Sequence, residues 1–139
     1  ITSKELRKVE IEGSADFFAQ TPITTENLSI SIDGSGDVRI DSVFSEGVWL
    51  EINGSGEIHI GGNCNTFTAE VNGSGDIFAS KLNSKISKAE INGSGNAYVV
   101  AQDELVLEIN GSGDVYYDGN PNRFVLNING SGKAIKIKK

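Results

Sequence analysis

The sequence predicts an all-β fold, a single strand of chain wound into a parallel β-helix of about seven rungs with Gly-Ser-Gly corners. Three observations predict it. The tetrapeptide Asn-Gly-Ser-Gly recurs at 53–56, 72–75, 92–95, 110–113 and 129–132, with an Asp variant at 33–36 and a worn copy, Glu12-Gly13-Ser14-Ala15, ahead of them. Its first glycine falls at Gly34, Gly54, Gly73, Gly93, Gly111 and Gly130, steps of 20, 19, 20, 18 and 19 residues, and its second at Gly36, Gly56, Gly75, Gly95, Gly113 and Gly132. On both sides of every copy, apolar and polar residues alternate.

In chain order, the positions two before the first glycine are Ile11, Ile32, Ile52, Val71, Ile91, Ile109 and Ile128, and those four after it are Phe17, Val38, Ile58, Ile77, Ala97, Val115 and Ala134. Even positions are apolar and odd ones polar, as in strands that bury one face. That period, and the glycines, exclude a helix. Each unit then reads as strand, corner, strand and a variable return such as 42–47 or 81–86. Parallel strands cannot be joined by a tight hairpin, so equal segments recurring every ~20 residues are satisfied by coiling, which stacks equivalent strands. Seven rungs spaced ~4.8 Å make a rod about 30 to 35 Å long. A corner between sheets needs φ values that a Cβ disfavours, or a close approach to the opposite wall, and glycine supplies both. Ala89, Ala97 and Ser87 make the fifth rung thin, and Phe67, Leu82 and Ile86 are expected to fill the space.

The chain divides into a degenerate first rung or N-terminal cap over 1–27, regular rungs over 28–132 and a Lys-rich C-terminal edge over 133–139. The cap includes Phe17, Phe18 and the 21–23 return. The edge carries Lys133, Lys136, Lys138 and Lys139, charges that discourage end-to-end pairing. The whole is one domain, 1–139. The chain begins at Ile1 without a Met and reads as a mature product or a fragment, with no signal segment to give an address.

Composition excludes several classes. Of 17 glycines, one lies in the worn copy and two in each full copy, so the bias is periodic rather than that of a flexible linker. A formal net charge of −7 argues against a nucleic-acid partner. No apolar run approaches the roughly 20 residues of a membrane-spanning helix. A single cysteine, Cys64, can form no internal disulfide and reads as an incidental small residue.

The repeated Ile-Asn-Gly-Ser-Gly-Asp-Val core and the stretch 111–121, Gly-Ser-Gly-Asp-Val-Tyr-Tyr-Asp-Gly-Asn-Pro, resemble the head GIN domain family of putative auto-transporter adhesins. The likeness runs from about Val9 to Lys138. It implies a right-handed β-helix with Gly-Ser-Gly between its sheets, in secreted or outer-surface proteins of gut-type Gram-negative bacteria, with an adhesive role and no catalytic residues. A periplasmic location is compatible with it. Members usually carry further β structure ahead of the repeats.

Function has to lie in the outward columns. Three before the corner stand Glu10, Ser31, Glu51, Glu70, Glu90, Glu108 and Asn127; three after it stand Asp16, Asp37, Glu57, Asp76, Asn96, Asp114 and Lys133. Stacked carboxylates could share Ca²⁺, which takes six to eight oxygens. Two like charges at this spacing in water repel by only about 1 kcal/mol, so a solvated acidic face is the simpler reading and no cofactor or metal is expected. The Asn column (Asn53, Asn72, Asn92, Asn110, Asn129) invites glycan hydrogen bonding, yet amides stacked rung on rung can bond one another, and this structural explanation is the stronger. His59 stands alone and Cys64 has no paired base, so an enzyme is not expected.

The most informative column lies five after the corner: Phe18, Arg39, His59, Phe78, Tyr98, Tyr116 and Ile135. Parity points it outward from the second strand, as it does Trp49, Val106 and Val125 from the first. A stacked aromatic ladder is a contiguous patch, to be covered by a return loop or used as an interface with a glycan, a protein or another copy of the chain. The sequence therefore points to a non-catalytic adhesion or scaffold module of the cell surface or secreted space. Its alternatives are a glycan-acting enzyme of the pectin-lyase-like β-helix type and a purely structural repeat of a larger surface protein. The enzyme reading rests on fold analogy alone.

Overall fold

The structure, a computed structural model, describes residues 8–14, 16–20 and 22–137. Ala15, Thr21, Lys138 and Lys139, which entered the expected cap and Lys-rich edge, lie outside the described residues. The described residues form no helix and pair in one sheet of eleven strands: β1 Lys8–Gly13, β2 Phe17–Ala19, β3 Ile23–Gly34, β4 Asp37–Gly54, β5 Glu57–Gly73, β6 Asp76–Gly93, β7 Ala97–Val100, β8 Glu104–Gly111, β9 Asp114–Asp118, β10 Arg123–Asn129 and β11 Lys133–Lys136. Every pairing is parallel. They wind into a β-solenoid of about seven turns.

The register follows the repeat. Asn53 pairs with Asn72 and Gly54 with Gly73, then Asn72 with Asn92 and Gly73 with Gly93. The first corner glycines from Gly34 to Gly111 end their strands, and from Gly34 to Gly130 each has a positive φ between 127° and 133°. At Gly93 an added Cβ would overlap the Gly73 carbonyl of the preceding rung; at Gly95 it would overlap the Gly75 carbonyl and stand 2.7 Å from a Val71 methyl. The first glycine thus answers to conformation and crowding, the second to crowding. The closeness is what lets the ladder run unbroken through the corner, where Ser94 N–H donates to the Gly73 carbonyl at 3.0 Å and Ser112 N–H to that of Gly93 at 3.1 Å.

The returns differ from expectation. In β4, β5 and β6 they are not loops, because the strand continues through them, and Val43, Phe44 and Ser45 pair with Gly62, Asn63 and Cys64, whereas the later returns at 101–103 and 119–122 do interrupt the strands. The register slips between Ile40 and Val43 and between His59 and Gly61. Stacking backbone on backbone satisfies the N–H and C=O groups of these segments even though their side chains carry no clean alternation.

Inward columns form a continuous core from Ile11 to Val115. Bulk alternates along it: Val48, Phe67, Ser87 and Leu105 are successive partners in register, so the largest buried ring faces a serine. Leu82 is buried as expected, whereas Ile86 is 39% exposed and fills nothing, because its position in the strand faces solvent. Ser84 and Ser87 are buried in contact with each other, and their hydroxyls reach the Val100 carbonyl at 2.6 and 2.8 Å. The inner-column Leu126 is 44% exposed, since β10 is paired on one side only.

Candidate functional site

The outward column five after the corner is in register throughout: Phe18 with Arg39, Arg39 with His59, His59 with Phe78, Phe78 with Tyr98, Tyr98 with Tyr116 and Tyr116 with Ile135. Four of these rings form one stack. Centroids stand 4.5 Å apart for His59 and Phe78, 5.1 Å for Phe78 and Tyr98 and 4.7 Å for Tyr98 and Tyr116, with planes inclined by 14°, 18° and 10°. The four remain partly exposed, and Phe18 beyond them is 62% exposed. Arg39 sits at a loose 3.9 Å from Asp41, and His59 Nε2 lies 3.4 Å from Glu57 Oε1. The stack has a consequence for chemistry. Ring faces are occupied by neighbouring rings, so what the column offers outward is a line of edges and two phenol oxygens. Burial raises the Tyr98 phenol above its ordinary value, with Tyr116, Asp76 and Asp114 adding to the shift, so it is a donor at neutral pH.

The polar columns are used by the fold itself. Asn72, Asn92, Asn110 and Asn129 each donate to the amide oxygen of the Asn one rung earlier, at 2.8 to 2.9 Å, and Asn53 donates to Asp33 at 2.9 Å. The second amide hydrogen of Asn53, Asn72, Asn92 and Asn110 goes to Glu51, Glu70, Glu90 and Glu108 at 3.1 to 3.2 Å. Both donors of these amides are spent, so the column has little left for a sugar.

Three after the corner the carboxylates do something that the sequence did not announce. Asp16, Asp37, Asp76 and Asp114, and the amide oxygen of Asn96, accept from the backbone N–H of the corresponding residue in the following rung at 2.9 to 3.3 Å. Each adds a side-chain bond between rungs just after the corner. The exception is informative: Glu57 is one methylene longer, and Asp76 N–H goes instead to the Gly56 carbonyl at 3.2 Å. The signal was the preference for short Asp and Asn at this position. No cluster of three or more His, Cys, Asp or Glu suited to a metal occurs among the described residues. Cys64 is 7% exposed, and burial pushes its thiol up to about 12, far from the thiolate that a nucleophile needs.

A regular solenoid whose inward columns form the core and whose outward columns present side chains to solvent defines a parallel β-solenoid. The chain belongs to the family described as putative auto-transporter adhesin, head GIN domain, whose model matches residues 1–121. Solved structures agree. A putative adhesin from Bacteroides fragilis is 26% identical, with a TM-score of 0.92 over 95% of this chain and 61% of that one. A second, from Parabacteroides distasonis, is 24% identical with a TM-score of 0.91 over 94% and 55%, and shows the fold alone. A putative lipid binding protein from Parabacteroides distasonis is 26% identical with a TM-score of 0.78 over 96% and 62%. The chain thus spans less than two thirds of each of these proteins. No protein of curated function matches it. No helix among the described residues is long and apolar enough to cross a membrane.

Proposed function

We propose that this chain is a non-catalytic adhesion module of the cell surface or secreted space, and that the column from Phe18 through Arg39, His59, Phe78, Tyr98 and Tyr116 is the face that meets a partner. The single observation that carries this is the exposed ring stack, an ordered apolar strip on a molecule whose Asn and Asp columns are engaged in bonds between rungs. Since ring faces are consumed within the stack, a sugar has no flat surface to lie on there. Edges and phenol hydroxyls suit a protein surface, another copy of the chain included. The enzyme reading finds no support in a set of acids spread evenly over the rungs and bound to backbone N–H groups. Placing a photo-crosslinking benzoyl-phenylalanine at Phe78 tests the reading. Irradiation in cells that express the protein is expected to yield a covalent protein adduct, absent when the same group replaces Lys88 on the other wall. Equal labelling from both positions, or none from Phe78, counts against it.

A further inference from the structure

A second outward site follows from the way Trp49 differs from the ladder. It stands five before the corner, on the other wall, and is 38% exposed. Its partners in register are Ser29 and Thr68, and it makes no ring contact among the described residues. Where His59, Phe78, Tyr98 and Tyr116 cover one another, two small hydroxyl residues flank the indole and leave its faces free to receive a ligand.

The indole borders a groove of about 630 Å³, within the size range of small-molecule sites. Glu26, Asn27, Glu46, Thr66 and Thr68 supply its polar groups. Unlike the saturated Asn column, the side chains of Glu26, Asn27, Thr66 and Thr68 make no hydrogen bond among the described residues, so donors and acceptors are available along the groove. Glu46 is held in place: Asn65 Nδ2 donates to its Oε1 at 2.5 Å, leaving Oε2 to accept from a ligand. Gly47, in register with Asn27, keeps the floor low, since an added Cβ would stand 2.8 Å from Asn27 Oδ1.

We propose that this groove binds a neutral sugar, one pyranose ring lying on Trp49 while its hydroxyls bond Glu26, Asn27, Glu46 and the two threonines. A flat, apolar indole matches the C–H face of a pyranose, and the Glu26 carboxylate, the remaining Glu46 oxygen, the amide and the hydroxyls match its rim. Charge narrows the class. Two carboxylates and no Lys or Arg line the groove, so uronic and sialic acids are repelled. A quaternary ammonium or a lysine side chain would use the indole and the carboxylates but leave the amide and hydroxyls without partners, and cages for such cations gather several aromatic rings.

Trp49 is the only tryptophan in the chain, so its emission reports on this groove alone. Titration with neutral mono- and oligosaccharides of glucose, galactose, mannose and N-acetylglucosamine is expected to give a saturable change in emission with at least one of them. By calorimetry Trp49→Leu should weaken that sugar at least tenfold, and Asn27→Ala should weaken it several-fold, with circular dichroism unchanged. The variant Phe78→Ser, Tyr98→Ser, Tyr116→Ser should bind the sugar as before, which separates this site from the ladder. The proposal is overturned if no neutral sugar binds, if Trp49→Leu binds as tightly, or if choline or a lysine peptide is the ligand instead.

Discussion

The corner glycines show how one residue type can answer two demands. Gly93 sits at φ 133° and Gly95 has no room for a methyl group. Gly93→Val should destabilise by about 3 to 5 kcal/mol, combining a strained φ with overlap in a packed site. Gly95→Ala should cost about 1 to 3 kcal/mol from overlap alone. Urea unfolding measures both, and an unchanged midpoint would show that the rungs separate easily. Cys64 gives a second residue-scale expectation. The folded thiol keeps its proton up to about 12, whereas an unfolded one releases it near about 8.5. The unfolded state therefore binds fewer protons in that window, and stability falls as pH rises, by at most about 1.4 kcal/mol per pH unit. Cys64→Ala should remove this part of the alkaline slope. Identical slopes would mean that the thiol is not desolvated.

At the scale of the element, the rung is held by side-chain ladders as well as by backbone. Asn92 takes part in three hydrogen bonds: to Asn72 at 2.9 Å, to Glu90 at 3.1 Å and from Asn110 at 2.8 Å. Asn129, in the terminal strand β10, makes one, to Asn110 at 2.9 Å. Asn92→Ala should therefore cost about 2 to 3 kcal/mol and Asn129→Ala about 1 kcal/mol or less. Equal losses in chemical denaturation would show that the ladder contributes nothing beyond turn propensity. Much of this was legible in the sequence. Spacing alone set the corners in register, and parity placed Ile52, Val71 and Ile91 inward and Phe78 and Tyr98 outward. The returns were not legible, because Ser42 to Gly47 and Lys81 to Ile86 pair through their backbones and slip in register at Ile40 and His59. A pattern of side chains says nothing about a strand whose hydrogen bonds do not depend on it. For the same reason the Trp49 groove was hidden: Glu26, Glu46 and Asn65 come from return segments whose alignment only the stacked rungs reveal.

For the whole molecule, the two proposed surfaces lie on one solenoid. The ladder lies on the wall that follows the corner and the Trp49 groove on the wall that precedes it. Both keep side-chain groups turned to solvent while the Asn, Asp and Glu columns bind rung to rung. That division suits a display module, in which the core can stay constant and outward columns can vary. The ring stack also contributes to stability, about 0.5 to 1.5 kcal/mol per pair, so its removal should lower the melting temperature without unwinding the solenoid, whose core lies on the opposite face of each strand.

The most direct test of the account is to compare the unaltered protein with Phe78→Ser, Tyr98→Ser, Tyr116→Ser at a temperature where both are folded. Sedimentation velocity and retention of protein-coated beads on cell surfaces would be measured beside far-ultraviolet circular dichroism. A β-rich spectrum is expected in both, with a modestly lower melting temperature in the variant and loss of self-association and of bead retention. A variant that unfolds would show that the column belongs to the core, and a folded variant that associates and adheres as before would place the working surface elsewhere.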